Sequence, residues 1–294
     1  MRPCNQAQSN EPRGCRRRFA GMTAGMLLAV LAWGCVPATI DLVENASGPD
    51  EIPQVFDDRD WATVLRENVR DALVDYEHLA AHQEPLNRYL RLIACVGPES
   101  TPGLFDAPHA GLAYAINAYN AGVLRAVLRE KIPATMYPAG RPSLDHRYRL
   151  RVDGRPVTLH DLRSAAREAS GGDARVEFAL CGAALGCPPL SDQPFRADTL
   201  PRQLERLARA AMDRPGIVRI DHQRQRLLIG LPIADRRDAF LAYTAKLTGA
   251  NPPTLLSALL QMADGVRRDW LNTAVGYKAG VIPFDRTLNR RTPE

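Results

Sequence analysis

No phosphate-binding G-x-x-x-x-G-K-[ST], no dinucleotide G-x-G-x-x-G, no G-x-S-x-G elbow and no H-E-x-x-H helix occurs in the 294 residues. Nucleotide binding, Rossmann-type cofactor binding, serine hydrolysis and zinc proteolysis therefore have no sequence support. Histidine and cysteine are scarce, six of each. His78 and His82 stand at i, i+4, but Glu77 and Gln83 beside them mark a solvated helix face. Cys181 and Cys187 are spaced too widely for a zinc knuckle and have no second pair. No metal and no cofactor is expected. Excess basic charge is lacking outside one end: the net charge of +5 is mostly due to Arg2, Arg13, Arg16, Arg17 and Arg18, opposed there only by Glu11. The remainder is close to neutral, which removes the argument for a nucleic-acid partner.

Long apolar runs are also missing. The one near the N-terminus, "FAGMTAGMLLAVLAWG" at 19–34, is short for a membrane span and suits a signal h-region. Arg16-Arg17-Arg18-Phe19 ahead of it fits the core of a twin-arginine signal, and Gly34-Cys35 sits where a bacterial lipoprotein signal is cut and its cysteine lipidated. Residues 1–35 are thus expected to be a targeting segment, through the Sec or twin-arginine route. It would leave the protein on the periplasmic face of a membrane, anchored by Cys35, with no other membrane contact. Cys95, Cys181 and Cys187 remain after cleavage. Three thiols in an oxidising compartment leave at least one unpaired.

What is present reads as an α+β domain. Residues 36–57, rich in turn formers and acids, are expected to be a flexible tether. From residue 58 to 294 no linker intervenes, so one domain is expected. Trp61, Val64, Leu65, Val69, Ala72, Leu73, Tyr76 and Leu79 predict one helix of about five turns. A second helix covers "PLNRYLRLIAC", and the most apolar one is "HAGLAYAINAYNAGVLRAVLREK". "RYRLRVDGRPVTL" is a hairpin turning at Asp153-Gly154, and Thr158 with Asp161 forms a capping box for the next helix. "ARVEFAL" alternates as a strand that ends on Cys181. A capped helix over "DTLPRQLERLARAAM", two strands in "GIVRIDHQRQRLLIGL" and two closing helices complete a helix-rich domain with a small antiparallel sheet.

Two constellations bear on chemistry. Asn117 and Asn120, three apart on one helix face, are costly to bury unless fully hydrogen-bonded. They either clamp a neighbouring backbone or orient a catalytic group, and the clamp is the simpler reading. In "FALCGAALGCPPL", small residues permit close backbone approach around two thiols, and the double proline fixes an extended exit. Cys187 is a nucleophile, a disulfide partner or a buried small residue. As a nucleophile it needs a base, and His146, His160 and His222 are the only histidines outside the first helix and the 105–110 loop.

Five stretches in order, "VDYEHL", "AYAINAYNAG", "RVDGRPVTLHDL", "FALCGAALGCPPL" and "VIPFDRTLN", resemble motifs of the DUF547 domain proteins over roughly residues 70–290. The resemblance implies a fold related to papain-like and transglutaminase-like thiol hydrolases, with Cys187 in the nucleophile position. On that reading the chain is a thiol-dependent hydrolase or acyl-transfer enzyme, in which amides of the Gly182–Gly186 loop hold the oxyanion and His160 is the base by default. Asn117 orients a catalytic group, and Asn120, Tyr119, Cys181, Gly182 and Asp285 contact a small-molecule or peptide ligand. The chain departs from the motifs where chemistry would sit. Glu177 stands where many members have histidine and is the catalytic candidate at that position, Ser164 replaces a second histidine, and Ala115 replaces a tryptophan. The alternative is a catalytically degenerate envelope lipoprotein that binds a ligand or partner.

Overall fold

The computed structural model describes residues 39–42, 53–249 and 251–292, all within one compact unit, Pro37–Glu294. The expected targeting segment with Cys35 and most of the expected tether lie outside the described residues. Where the tether is described, it is docked. Strand β1 (Ile40–Asp41) pairs in parallel with Tyr148 and Arg149, and the Leu42 N–H donates to the Arg149 carbonyl at 2.8 Å. Leu42 is buried, so its apolar side chain has a reason to hold the strand.

The single long helix expected from Trp61 to Leu79 is two helices with a hairpin between them. Helix α1 (Arg59–Asn68) gives way to β2 (Val69–Arg70) and β3 (Leu73–Val74), and α2 (Tyr76–Ala81) follows. Asp71 and Ala72 form the turn with φ of 50° and 69°, so the helix cannot pass through them. β-branched Val69 and Val74 face each other across the ladder. Asp75 then starts α2 by accepting the His78 N–H.

Helix α3 (Glu84–Cys95) precedes α4 (Ala110–Arg129), the axis of the fold, which is buried along most of its length. Short α5 (Leu144–Arg147) leads into the hairpin β4 (Tyr148–Val152) and β5 (Arg155–Thr158). Asp153 and Gly154 turn it with positive φ, as the dipeptide predicts. The Thr158–Asp161 capping box opens α6 (Leu159–Ala169). The expected strand over "ARVEFAL" is instead a 3-10 helix, Ala174–Phe178, started by the Asp173 carboxylate accepting from the Arg175 N–H. Alternation of polar and apolar residues was satisfied here by a tight helical turn.

Helix α7 (Leu200–Met212), the hairpin β6 (Val218–Asp221) with β7 (Arg226–Ile229), short α8 (Leu231–Ala234) and α9 (Arg237–Thr248) follow. The last expected helix is split into α10 (Leu255–Leu260) and α11 (Gly265–Asn272), and β8 (Lys278–Val281) closes the sheet. The sheets are small and mixed rather than purely antiparallel, because β1 joins β4 and β8 joins β7 in parallel. Two apolar clusters result. One surrounds α4, with Trp61, Tyr89 and Tyr148 fully buried, and the other fills the space among β6, β7, α9 and α10. Each large side chain so buried contributes roughly 1.5–3 kcal/mol, enough to carry polar groups at the centre only if those are paired.

Candidate functional site

Asn117 and Asn120 are the polar groups at that centre, and both are paired. The Asn117 side-chain oxygen accepts from Trp61 Nε1 at 3.1 Å and from the Phe195 N–H at 3.0 Å, while its amide nitrogen donates to the Phe195 carbonyl at 2.8 Å. Its amide is thereby committed to fixing the segment after the thiol loop, and Asn117 does not line the cleft that holds Cys187. Asn120 does the same for the loop itself. It donates to the Ala179 carbonyl at 2.9 Å and accepts from the Cys181 N–H at 3.0 Å. Tyr119, on the same helix, is fully buried and contacts Asp145 (3.1 Å) and Arg163 through its hydroxyl. It supports the cleft wall from behind rather than lining the cleft.

From the other side a C-terminal strap, residues 282–292, grips the loop. The Leu185 N–H donates to the Thr287 carbonyl at 2.8 Å and the Gly186 N–H to that of Asp285 at 2.9 Å. Asn289 accepts from the Tyr76 hydroxyl and donates to Cys181 Sγ at 3.6 Å. Gly186 must be glycine here, since a Cβ would lie 2.6 Å from the Phe284 ring and 2.8 Å from the Asp285 nitrogen. Asp285 therefore acts through its backbone, and its exposed carboxylate accepts from the Thr287 N–H, which holds it below the usual carboxylate range.

All three described cysteines are free, so no disulfide joins Cys181 to Cys187 or to Cys95. Cys181 is buried and its thiol is pushed up to about 12, first by burial and then by nearby Cys187. Cys187 is half-buried, and burial likewise raises its pKa, against the pull of Tyr137, Arg163 and the amides of Gly182 and Ala184 directed at its sulfur. Tyr137 is the closest side-chain partner, with its hydroxyl 3.7 Å from Sγ. That hydroxyl donates to the Gly182 carbonyl at 2.8 Å, and in its contact with the sulfur, where either atom can donate, it favours the thiolate against the larger effect of burial. Gly182 is tight for the same reason, a Cβ there falling 2.6 Å from Cys187 Sγ.

The loop amides can be accounted for one by one. Cys181 N–H goes to Asn120, while the amides of Gly182 and Ala184 favour the thiolate of Cys187 and that of Ala183 the thiolate of Cys181. Those of Leu185 and Gly186 go to the strap, and the Cys187 N–H goes to the Ala184 carbonyl at 3.0 Å. Of the Gly182–Gly186 loop expected to hold an oxyanion, the Leu185 and Gly186 amides are committed to the strap, and those of Gly182 and Ala184 act on the Cys187 sulfur.

Cys187 lines a cleft of about 660 Å3 together with Tyr137, His160, Arg163 and Phe284. Among the described residues no imidazole is hydrogen-bonded to the thiol. His160, the expected base, shares the cleft but its ring stacks on His146 at 4.3 Å. Glu177 is 5% exposed and forms a bidentate pair with Arg167 (2.7 and 2.8 Å), with Arg236 at 3.2 Å on the same oxygen. A carboxylate flanked by two guanidiniums serves as their counter-ion. Ser164 does not line the cleft. Tyr137, Arg167 and Arg236 were not singled out from sequence. For Arg167 the signal existed: His160, Arg163 and Arg167 fall on one face of α6 at helical spacing. Among the described residues no group of three or more His, Cys, Asp or Glu is placed to hold a metal ion.

With this geometry in place, the sequence profile described as "Protein of unknown function, DUF547" matches residues 107–210. The matched span is narrower than the 70–290 implied by motif order. It holds α4, the hairpin, α6 and the thiol loop, and it stops before Arg236 and the strap. No curated protein and no solved structure matches the chain.

Proposed function

We propose that the chain is a ligand-binding protein whose cleft receives a small molecule or peptide beside a protonated Cys187, and not a working thiol hydrolase. One observation carries this: among the described residues no imidazole is hydrogen-bonded to the cysteine at the cleft wall, and burial raises its pKa. Nucleophilic catalysis by a thiol requires both a way to ionise it and donors for the developing charge. The protein would act outside the cytoplasm. Arg16–Arg18, the apolar run after them and Cys35 support export and lipid anchoring at a bacterial membrane.

Thiol-dependent acyl transfer on a papain-like core is the second reading. It is favoured by the two amides and Arg163 around Cys187 Sγ, which would lower the thiol's pKa if the cleft were reshaped. Turnover of a panel of peptide, ester and thioester reporters by native protein and by Cys187→Ala separates the two. The binding reading predicts no turnover that Cys187→Ala abolishes. A reporter cleaved by the native chain and not by the variant would establish the enzyme and end the proposal.

A further inference from the structure

Resting on the reading of the cleft as a ligand site, we infer that its ligand is an oxyanion with an apolar body, specifically a carboxylate, anchored by Arg236 with Arg286 beside it. Most ionic side chains at the cleft are matched. Arg163 pairs with Asp145 at 2.8 Å, and Arg167 takes both oxygens of Glu177. Arg141 lies 3.9 Å from Glu130, at the limit of an ion pair.

Arg236 differs. Its side chain forms no hydrogen bond among the described residues, and its Nε, buried from solvent, approaches Glu177 Oε1 at 3.2 Å without hydrogen-bond geometry. That oxygen already accepts from Arg167 Nε. Arg236 is therefore held at the wall by charge through Nε, and its partly exposed outer end makes no hydrogen bond among the described residues. A guanidinium presents its donors as a planar fork that fits a carboxylate bidentately. Arg286, exposed on the strap at the same cleft, has no ion pair or hydrogen bond among the described residues.

Five arginines, Arg141, Arg163, Arg167, Arg236 and Arg286, line the cleft against three carboxylates, Asp145, Glu177 and Asp235, so the net charge of the lining is positive. Apolar surface lies beside this charge: Pro138, Leu180, Pro188, Leu231 and Phe284 line the same space. A bare inorganic anion would leave those walls wet, while an uncharged lipid-like molecule would leave the Arg236 donors unmet.

Octanoate and its uncharged twin octanol test this by NMR of the arginine Nε–Hε and aromatic side-chain resonances in the native protein. Octanoate is expected to shift Arg236 Nε–Hε together with Tyr137 and Phe284, and to bind at least about tenfold more tightly than octanol. Arg236→Gln should remove that preference, while the bidentate Arg167 pair still holds Glu177. Exposed Arg286→Gln should reduce it without a fold change. Equal binding of octanol and octanoate at Tyr137 and Phe284 would overturn the anion and leave the ligand cleft standing. Neither probe moving any cleft resonance would overturn both. Octanoate binding unchanged in both variants would overturn the assignment to these arginines.

Discussion

Asn120 shows how much one side chain contributes at this site. Its side-chain oxygen accepts the Cys181 N–H and its amide nitrogen donates to the Ala179 carbonyl in a fully buried place. Asn120→Ala leaves two buried backbone groups unpaired, at roughly 1–3 kcal/mol each. Urea unfolding should show a loss of about 2–5 kcal/mol, and a loss below about 0.5 kcal/mol would mean the loop is held by the strap alone. This clamp was legible in the sequence, because a pair of asparagines on the most apolar helix has to be satisfied by something. Which backbone they hold was not legible: Asn117 is linked to Phe195, and Asn120 to Ala179 and Cys181, by contacts far apart in the chain. Tyr137 was invisible for the same reason, since nothing local to "MYPAG" announces a partner at Gly182 and Cys187.

At the scale of elements, the thiol loop is a connection between α4 and the strap rather than an independent motif. Gly186→Ala would place a methyl group against Phe284 and Asp285 and should cost about 1–3 kcal/mol, as overpacking does. Gly103→Ala, with nothing within 4 Å of its Cβ, should stay within about 0.5 kcal/mol. Comparable urea midpoints for the two variants would show that the strap is not packed on the loop. Elements with strong local chemistry were legible here: the Asp153-Gly154 hairpin, the Thr158–Asp161 box and the long α4. The breaks were not. Ala72 at positive φ and the 3-10 turn at Ala174–Phe178 have no compositional signature that separates them from a continuing helix or a strand. The strap bears on the first break, because Val74 N–H and C=O pair with Asn289 and Arg291 and so hold β3 extended.

Across the whole molecule, the apolar cluster around α4 and the one around β6, β7, α9 and α10 place α6 and α8 at the same cleft. That is how Arg163 and Arg167 come to share it with Arg236. Helix-rich α+β architecture was readable from periodicity, and the cleft was not, because it depends on how these distant segments close. The central claim is that the fold keeps Cys187 protonated. The most direct test is the iodoacetamide alkylation rate of Cys187 across pH 5–9, mapped by mass, in native protein and in the same chain unfolded in urea. Only the thiolate reacts, and an unperturbed thiol ionises near pH 8.5. A folded pKa raised by burial gives a smaller thiolate fraction at every pH below it. The account predicts a native rate below the unfolded one at pH 7–8 and still climbing at pH 9. A native rate that exceeds the unfolded one and levels off below pH 8 would contradict it and return Cys187 to the role of nucleophile.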